Sequence, residues 1–236
     1  MGLLSLRNLK IADKLLLLFI HIGLVFVVSV IFDFRSLVEG SSYLLVPVLI
    51  LYYWYKARKW FLPMVLTLML FYVRNIFLLI DFSEHAMIIL TSLGLSLLIL
   101  FVFAVTGFQR AKIYTVEIFS LAIMYGFLGF LFFSISEIVP MVVPTYKWVV
   151  WTFLLVLILF MAFTFTGYLV KSHYASLWLM LAAASILISE LSLFFRLYVM
   201  SNVSLDIFFP LFHVMALFSM VQYALHRRPS AKVPYF

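Results

Sequence analysis

The chain has 236 residues, of which 67% are apolar and 11% charged, and its mean hydropathy is +1.23. Soluble domains run near half apolar and a quarter charged, and disordered chains are poor in apolar residues, so neither class fits. Zero cysteines exclude disulfides, thiolate metal sites and a cysteine nucleophile. The net charge of +7 falls in short clusters between apolar runs, so nucleic acid is not an expected partner.

The expectation is an all-α polytopic membrane protein, a single transmembrane domain over residues 1–236 crossing the bilayer eight times. Arg7, Lys10 and Lys14 precede the first span, Leu15 to Ile31, which lacks an A-x-A-type exit and ends in Asp33, Phe34 and Arg35. It therefore reads as a retained helix and not as a cleaved signal peptide. The second span, Ser42 to Tyr55, is short and contains Pro47, and Leu37 to Tyr43 could extend it. Lys56, Arg58 and Lys59 separate it from the third, Trp60 to Ile80, which carries Arg74 and Asn75. Glu84 and His85 open the fourth, Ala86 to Phe108, where a carboxylate suits the N-terminal helix dipole.

Arg110 and Lys112 lead into the fifth span, Ile113 to Phe133, with Glu117 close enough to the helix end to snorkel. The sixth runs from Trp148 to Val170 and is followed by Lys171. The seventh covers Tyr174 to Met200 and the eighth Ile207 to Leu225, before Arg227, Arg228 and Lys232. Most of the 16 Lys and Arg residues thus lie at one side, whereas Asp33, Glu39, Asp81, Glu84, Glu137 and Asp206 lie toward the other. The positive-inside rule makes that basic side, with both termini, cytoplasmic. An integral protein of a bacterial inner (plasma) membrane is the corresponding expectation.

Ionisable side chains at membrane depth are costly and usually face the protein interior. Counted from the basic side, Arg74 and Asn75 lie about 21 to 23 Å up the third helix, and Ser189 and Glu190 about 22 to 24 Å up the seventh. His213 descends about 9 Å from the opposite edge and reaches nearly the same level. Ser185, Ser189, Ser192 and Arg196 form one helical stripe, with Glu190 at its edge. Two readings stay open for these residues. The serines serve close helix packing or a pocket, and Glu190 forms an ion pair with Arg74 or Arg196 or faces a ligand. His213 is either a hydrogen-bonded core residue or a base. No H-x-x-x-H or H-E-x-x-H spacing occurs, so no metal is expected. No lysine lies deep in the seventh span, which removes retinal, and no other cofactor is expected.

The eight-span layout resembles that of the YhhN-type lysoplasmalogenase family. Pro47 in Leu44-Leu45-Val46-Pro47-Val48-Leu49 looks like the family's Lys-Pro in the second helix, with Val46 in place of the lysine. Phe71-Tyr72-Val73-Arg74-Asn75-Ile76 sits where the family has a Gly-Asp motif, and Ile188-Ser189-Glu190-Leu191 looks like its Ser-Asp motif. A histidine that the family has late in the fourth helix is missing. The resemblance implies vinyl-ether cleavage in a lysolipid, which needs one protonated and one ionised carboxyl. Asn75 cannot ionise, so Glu190 and His213 remain as candidate catalytic residues and Arg74, Asn75, Ser189 and Arg196 as candidate substrate-binding residues.

The leading expectation is a divergent member that binds a lysolipid or similar amphiphile in an intramembrane polar pocket, its hydrolase activity lost or altered. Its partners would be membrane lipids, a lysophospholipid among them. A non-catalytic subunit or scaffold bound to another membrane protein is the alternative. A small transporter ranks last, because Pro47, Pro140, Pro144 and Pro210 do not mark paired broken helices.

Overall fold

A backbone in hydrocarbon must satisfy its own hydrogen bonds, and continuous helices do so. The computed structural model describes residues 10–80, 82–106, 115–171, 173–200 and 202–227, and these form eight helices with no strand among them. They are α1 (Ile11–Ile31), α2 (Arg35–Ala57), α3 (Leu62–Ile80), α4 (Phe82–Thr106), α5 (Thr115–Val142), α6 (Lys147–Lys171), α7 (Tyr174–Tyr198) and α8 (Val203–His226). Each is long and apolar enough to cross a bilayer, and the chain is an integral, multi-pass membrane protein. Arg7, Asp81, Arg110, Lys112, Arg228 and Lys232 lie outside the described residues. So do the Lys171 side chain and the expected span ends at Phe108 and Ile113.

Two helices are longer than their hydropathy suggests. The second begins at Arg35, before the polar run Gly40-Ser41-Ser42, because Arg35 and Glu39 pair at 3.1 Å along one helical face. Ser41 also turns its hydroxyl onto the Leu37 carbonyl, so these polar groups are satisfied within the helix. The fifth runs on to Val142, past Phe133, with Pro140 in its last turn. At the other end of the chain, Asn202 caps α8 by accepting the Ser204 N–H at 3.0 Å.

The helices α1, α2, α3, α4, α6, α7 and α8 follow one another as packed neighbours, and α8 closes back onto α1. The eighth also touches α2 and α3, whereas α5 packs chiefly on α6. Leu45, Leu49, Met64, Leu68, Leu217 and Met220 fill the interior. Phe119, Phe130 and Phe133 on α5 are each about 70% exposed, which suits hydrocarbon and not water. The described Lys10, Lys14, Lys56, Arg58, Lys59 and Arg227 mark a basic end of the bundle. Asp33, Glu39, Glu84, Glu137 and Asp206 mark an acidic end.

Two contacts fix the helix spacing and make direct predictions. A Cβ at Gly23 of α1 would meet Val214 Cγ1 of α8 at 2.9 Å, so only glycine permits this approach. Gly23→Ala is expected to cost about 1–3 kcal/mol through overpacking, and adding Val214→Ala should recover part of it, as thermal unfolding in detergent would read. At the basic end, the Arg227 guanidinium lies 4.7 Å from the Phe61 ring and 5.3 Å from that of Phe103. It ties the end of α8 to the start of α3 and the end of α4. Arg227→Gln should lower stability by about 1 kcal/mol, a loss that Arg227→Lys restores only in part.

Candidate functional site

The helical rise brings Arg74, Glu190 and His213 to similar depth, but contact requires that each also face inward. Arg74 is 1% exposed and Asn75 is buried beside it, because α3 turns this face to α7 and α8. The Arg74 Nη2 group donates to both carboxylate oxygens of Glu190, at 2.8 and 2.7 Å. Its Nη1 group donates to Asn75 Oδ1 at 3.0 Å, and Asn75 Nδ2 lies 2.9 Å from His213 Nε2. Glu190, Arg74, Asn75 and His213 therefore form one buried chain across three helices.

The direction of each bond follows from what each group can do. A guanidinium only donates, so the Asn75 oxygen must face Arg74 and its amide must donate to His213. His213 Nε2 then accepts, which puts the ring proton on Nδ1. The imidazole is enclosed by Phe26, Phe71 and Phe209, with ring centroids 6.0 to 6.4 Å away. The backbones of α3 and α7 share little direct contact, so the long Arg74 side chain spans the gap.

That gap widens into a crevice among α3, α4, α5, α6 and α7. Its walls are apolar, with Ile89, Leu93, Ile135, Leu154 and Phe194 along them, and Tyr146 and Tyr198 stand at its acidic-end rim. Arg74 and Glu190 are its charged lining residues. The room within it for a water-sized sphere is about 80 Å³, several waters' worth, which describes a narrow slot and not a chamber. Along α3 the ion pair sits about 9 Å below the acidic end, and along α7 about 12 Å below it.

The other candidates lie elsewhere. Asn75 and His213 are behind the ion pair and do not line the crevice. Ser189 donates to the Phe209 carbonyl at 3.1 Å, joining α7 to α8. Ser185 and Ser192 are buried on the same stripe. Arg196 pairs with Asp206 at 2.8 Å near the acidic end, where it borders a separate shallow cleft with Asp33, Arg35 and Glu39. Of the two cations open to Glu190 from the sequence, Arg74 holds it. The apolar crevice walls could not be found from sequence, since nothing distinguishes Leu93 or Phe194 from other core positions. Tyr146 and Tyr198 carry the one available signal, aromatic enrichment near a membrane interface.

Chemically, the arrangement is a closed ion pair and not a free acid–base pair. Both Glu190 oxygens accept from Arg74, so no carboxyl proton is presented to the crevice, and the Nε2 lone pair of His213 is already engaged. No protein-family model, curated protein or solved structure matches the chain.

Proposed function

We propose that this membrane protein holds a single-chain amphiphile in the α3–α7 crevice, with its tail against the apolar walls and its polar end at the Arg74–Glu190 pair. The observation that carries this reading is the position of that pair in the wall of an otherwise apolar slot. A buried ion pair is a poor source of stability compared with apolar packing, and one that borders open space has groups left to recognise a ligand. The likeness to YhhN-type lysoplasmalogenases supports a single-chain lipid as the ligand. The engaged Glu190 and the enclosed His213 support binding with vinyl-ether hydrolysis lost or altered. The basic end faces the cytoplasm of a bacterial plasma membrane in this reading, in keeping with the positive-inside rule.

Mass spectrometry of lipids that co-purify in mild detergent tests it. A single-chain species should be enriched over the bulk membrane, and Val150→Trp, which fills the slot without touching the ion pair, should remove it. Bulk phospholipid alone would overturn the proposal. Incubation with a lysoplasmalogen separates the chemistry: no aldehyde release is expected from the wild-type protein. Release that Glu190→Gln abolishes would instead make the protein a hydrolase.

A further inference from the structure

Arg74 has one nitrogen without a partner. Its Nη1 and Nη2 groups are engaged, but Nε is buried and has no hydrogen-bond partner. In the fixed fork of a guanidinium, Nε–H lies on the same edge as Nη2, the group that holds Glu190. The orphan donor and the carboxylate are therefore neighbours. The carboxylate has about four lone-pair sites, of which Arg74 uses two. Glu190 is also the more open partner, with 8% of its side chain exposed against 1% for Arg74. In the residues that line the crevice, an unpartnered donor and spare acceptor capacity thus stand side by side.

Resting on the amphiphile reading above, we infer that the ligand is an uncharged chain ending in a hydroxyl, which accepts from Arg74 Nε and donates to Glu190. Three independent features select it. The first is matching: a hydroxyl is the smallest group that both gives and receives, whereas a carboxylate or an ether oxygen only receives. The second is charge. Arg74 and Glu190 neutralise each other, so a third charge beside them would be buried without a counterion.

The third is depth and width. Helices such as α6 and α7, 25 residues each, are about 37 Å long and overhang a 30 Å hydrocarbon layer by a few ångströms at each end. Counted along α7, the pair therefore lies roughly 8 Å inside the hydrocarbon. A phosphate or ammonium headgroup belongs above that level and is wider than the chain that carries it, whereas a hydroxyl adds almost no width in a narrow slot. A terminal hydroxyl meets both conditions.

Five probes that share a twelve-carbon chain test the inference on the full-length protein in lipid nanodiscs. They are 1-dodecanol, 1-methoxydodecane, dodecane, laurate and lauroyl-lysophosphatidylcholine, compared at equal membrane mole fraction by the shift in Tm. Dodecanol should raise Tm at least three-fold more than each of the others, and Val150→Trp should abolish the shift. Arg74→Lys keeps a cation for Glu190 but removes Nε, so dodecanol should then fall to the level of dodecane. If that variant fails to fold, the wild-type series still decides. An equal or larger shift with laurate or the lysolipid would overturn the uncharged head, and an equal shift with the ether would overturn the hydroxyl. Equal shifts from all five would leave an apolar slot without head recognition, so the inference would fall while amphiphile binding stood. No shift from any probe would remove both.

Discussion

Glu190→Leu should destabilise the protein by about 3–5 kcal/mol, because it leaves the Arg74 guanidinium buried without a counterion. The size of the effect follows from burial and not from the intrinsic strength of the pair. Arg74 is 1% exposed, and both of its carboxylate contacts are at or below 2.8 Å. The crevice walls around the pair are apolar, so no other charge replaces the lost partner. Arg74→Met combined with Glu190→Leu should recover most of the loss, since apolar residues of similar volume often match or exceed a buried pair in stability. Recovery should stop short of complete, because Asn75 Oδ1 loses its donor in the double variant, at about 1–3 kcal/mol. Unfolding in mixed micelles reads all three proteins. A single Glu190→Leu variant within about 1 kcal/mol of wild type would contradict a buried pair.

Asn75→Leu should cost about 2–5 kcal/mol through a different mechanism, the loss of a neutral bridge. It strips a hydrogen bond from Arg74 Nη1 and another from His213 Nε2, and both of those atoms stay buried. The cage of Phe26, Phe71 and Phe209 around the imidazole can accept a phenyl ring, so His213→Phe should be milder than Asn75→Leu. If the amide and the ring are bonded as described, the two changes together should cost less than their sum, by about 1 kcal/mol or more. Additivity within about 0.5 kcal/mol would mean that the bond contributes nothing.

Much of the architecture was legible in the chain, for a physical reason. Hydrocarbon demands runs of some twenty apolar residues, and eight such runs stand out between charged clusters. The ends of helices were less legible, because hydropathy does not register polar groups that a helix satisfies internally. Arg35, Glu39 and Ser41 extend α2 beyond its apolar run in just that way. Proline near a helix end misleads in the same direction, and α5 continues past Phe133 to include Pro140.

At the site, depth and rotation carry different information. The rise per residue brings Arg74, Asn75, Glu190 and His213 to similar heights, and the structure joins those four. Which cation meets Glu190 depends on how α3 and α7 are rotated and spaced, and a single sequence holds no record of that. Arg196 is about one and two-thirds turns from Glu190 on the same helix, yet it faces Asp206 across the α7–α8 turn. Ser189, adjacent to Glu190, points about 100° away and spends its hydroxyl on α8. The crevice itself left no trace, because a void is set by what neighbouring helices fail to fill.

The contacts of α8 with α1, α2, α3 and α7 also govern biogenesis. Of the eight described helices it is the last to leave the ribosome, and until it arrives Gly23 has no Val214 to approach and Asn75 has no imidazole to meet. Seven helices can enter the bilayer in order, but the bundle stays open along a seam from α1 to α7. A nascent chain interrupted before Val203 thus leaves Asn75 and Ser189 without the groups that satisfy them in the finished bundle.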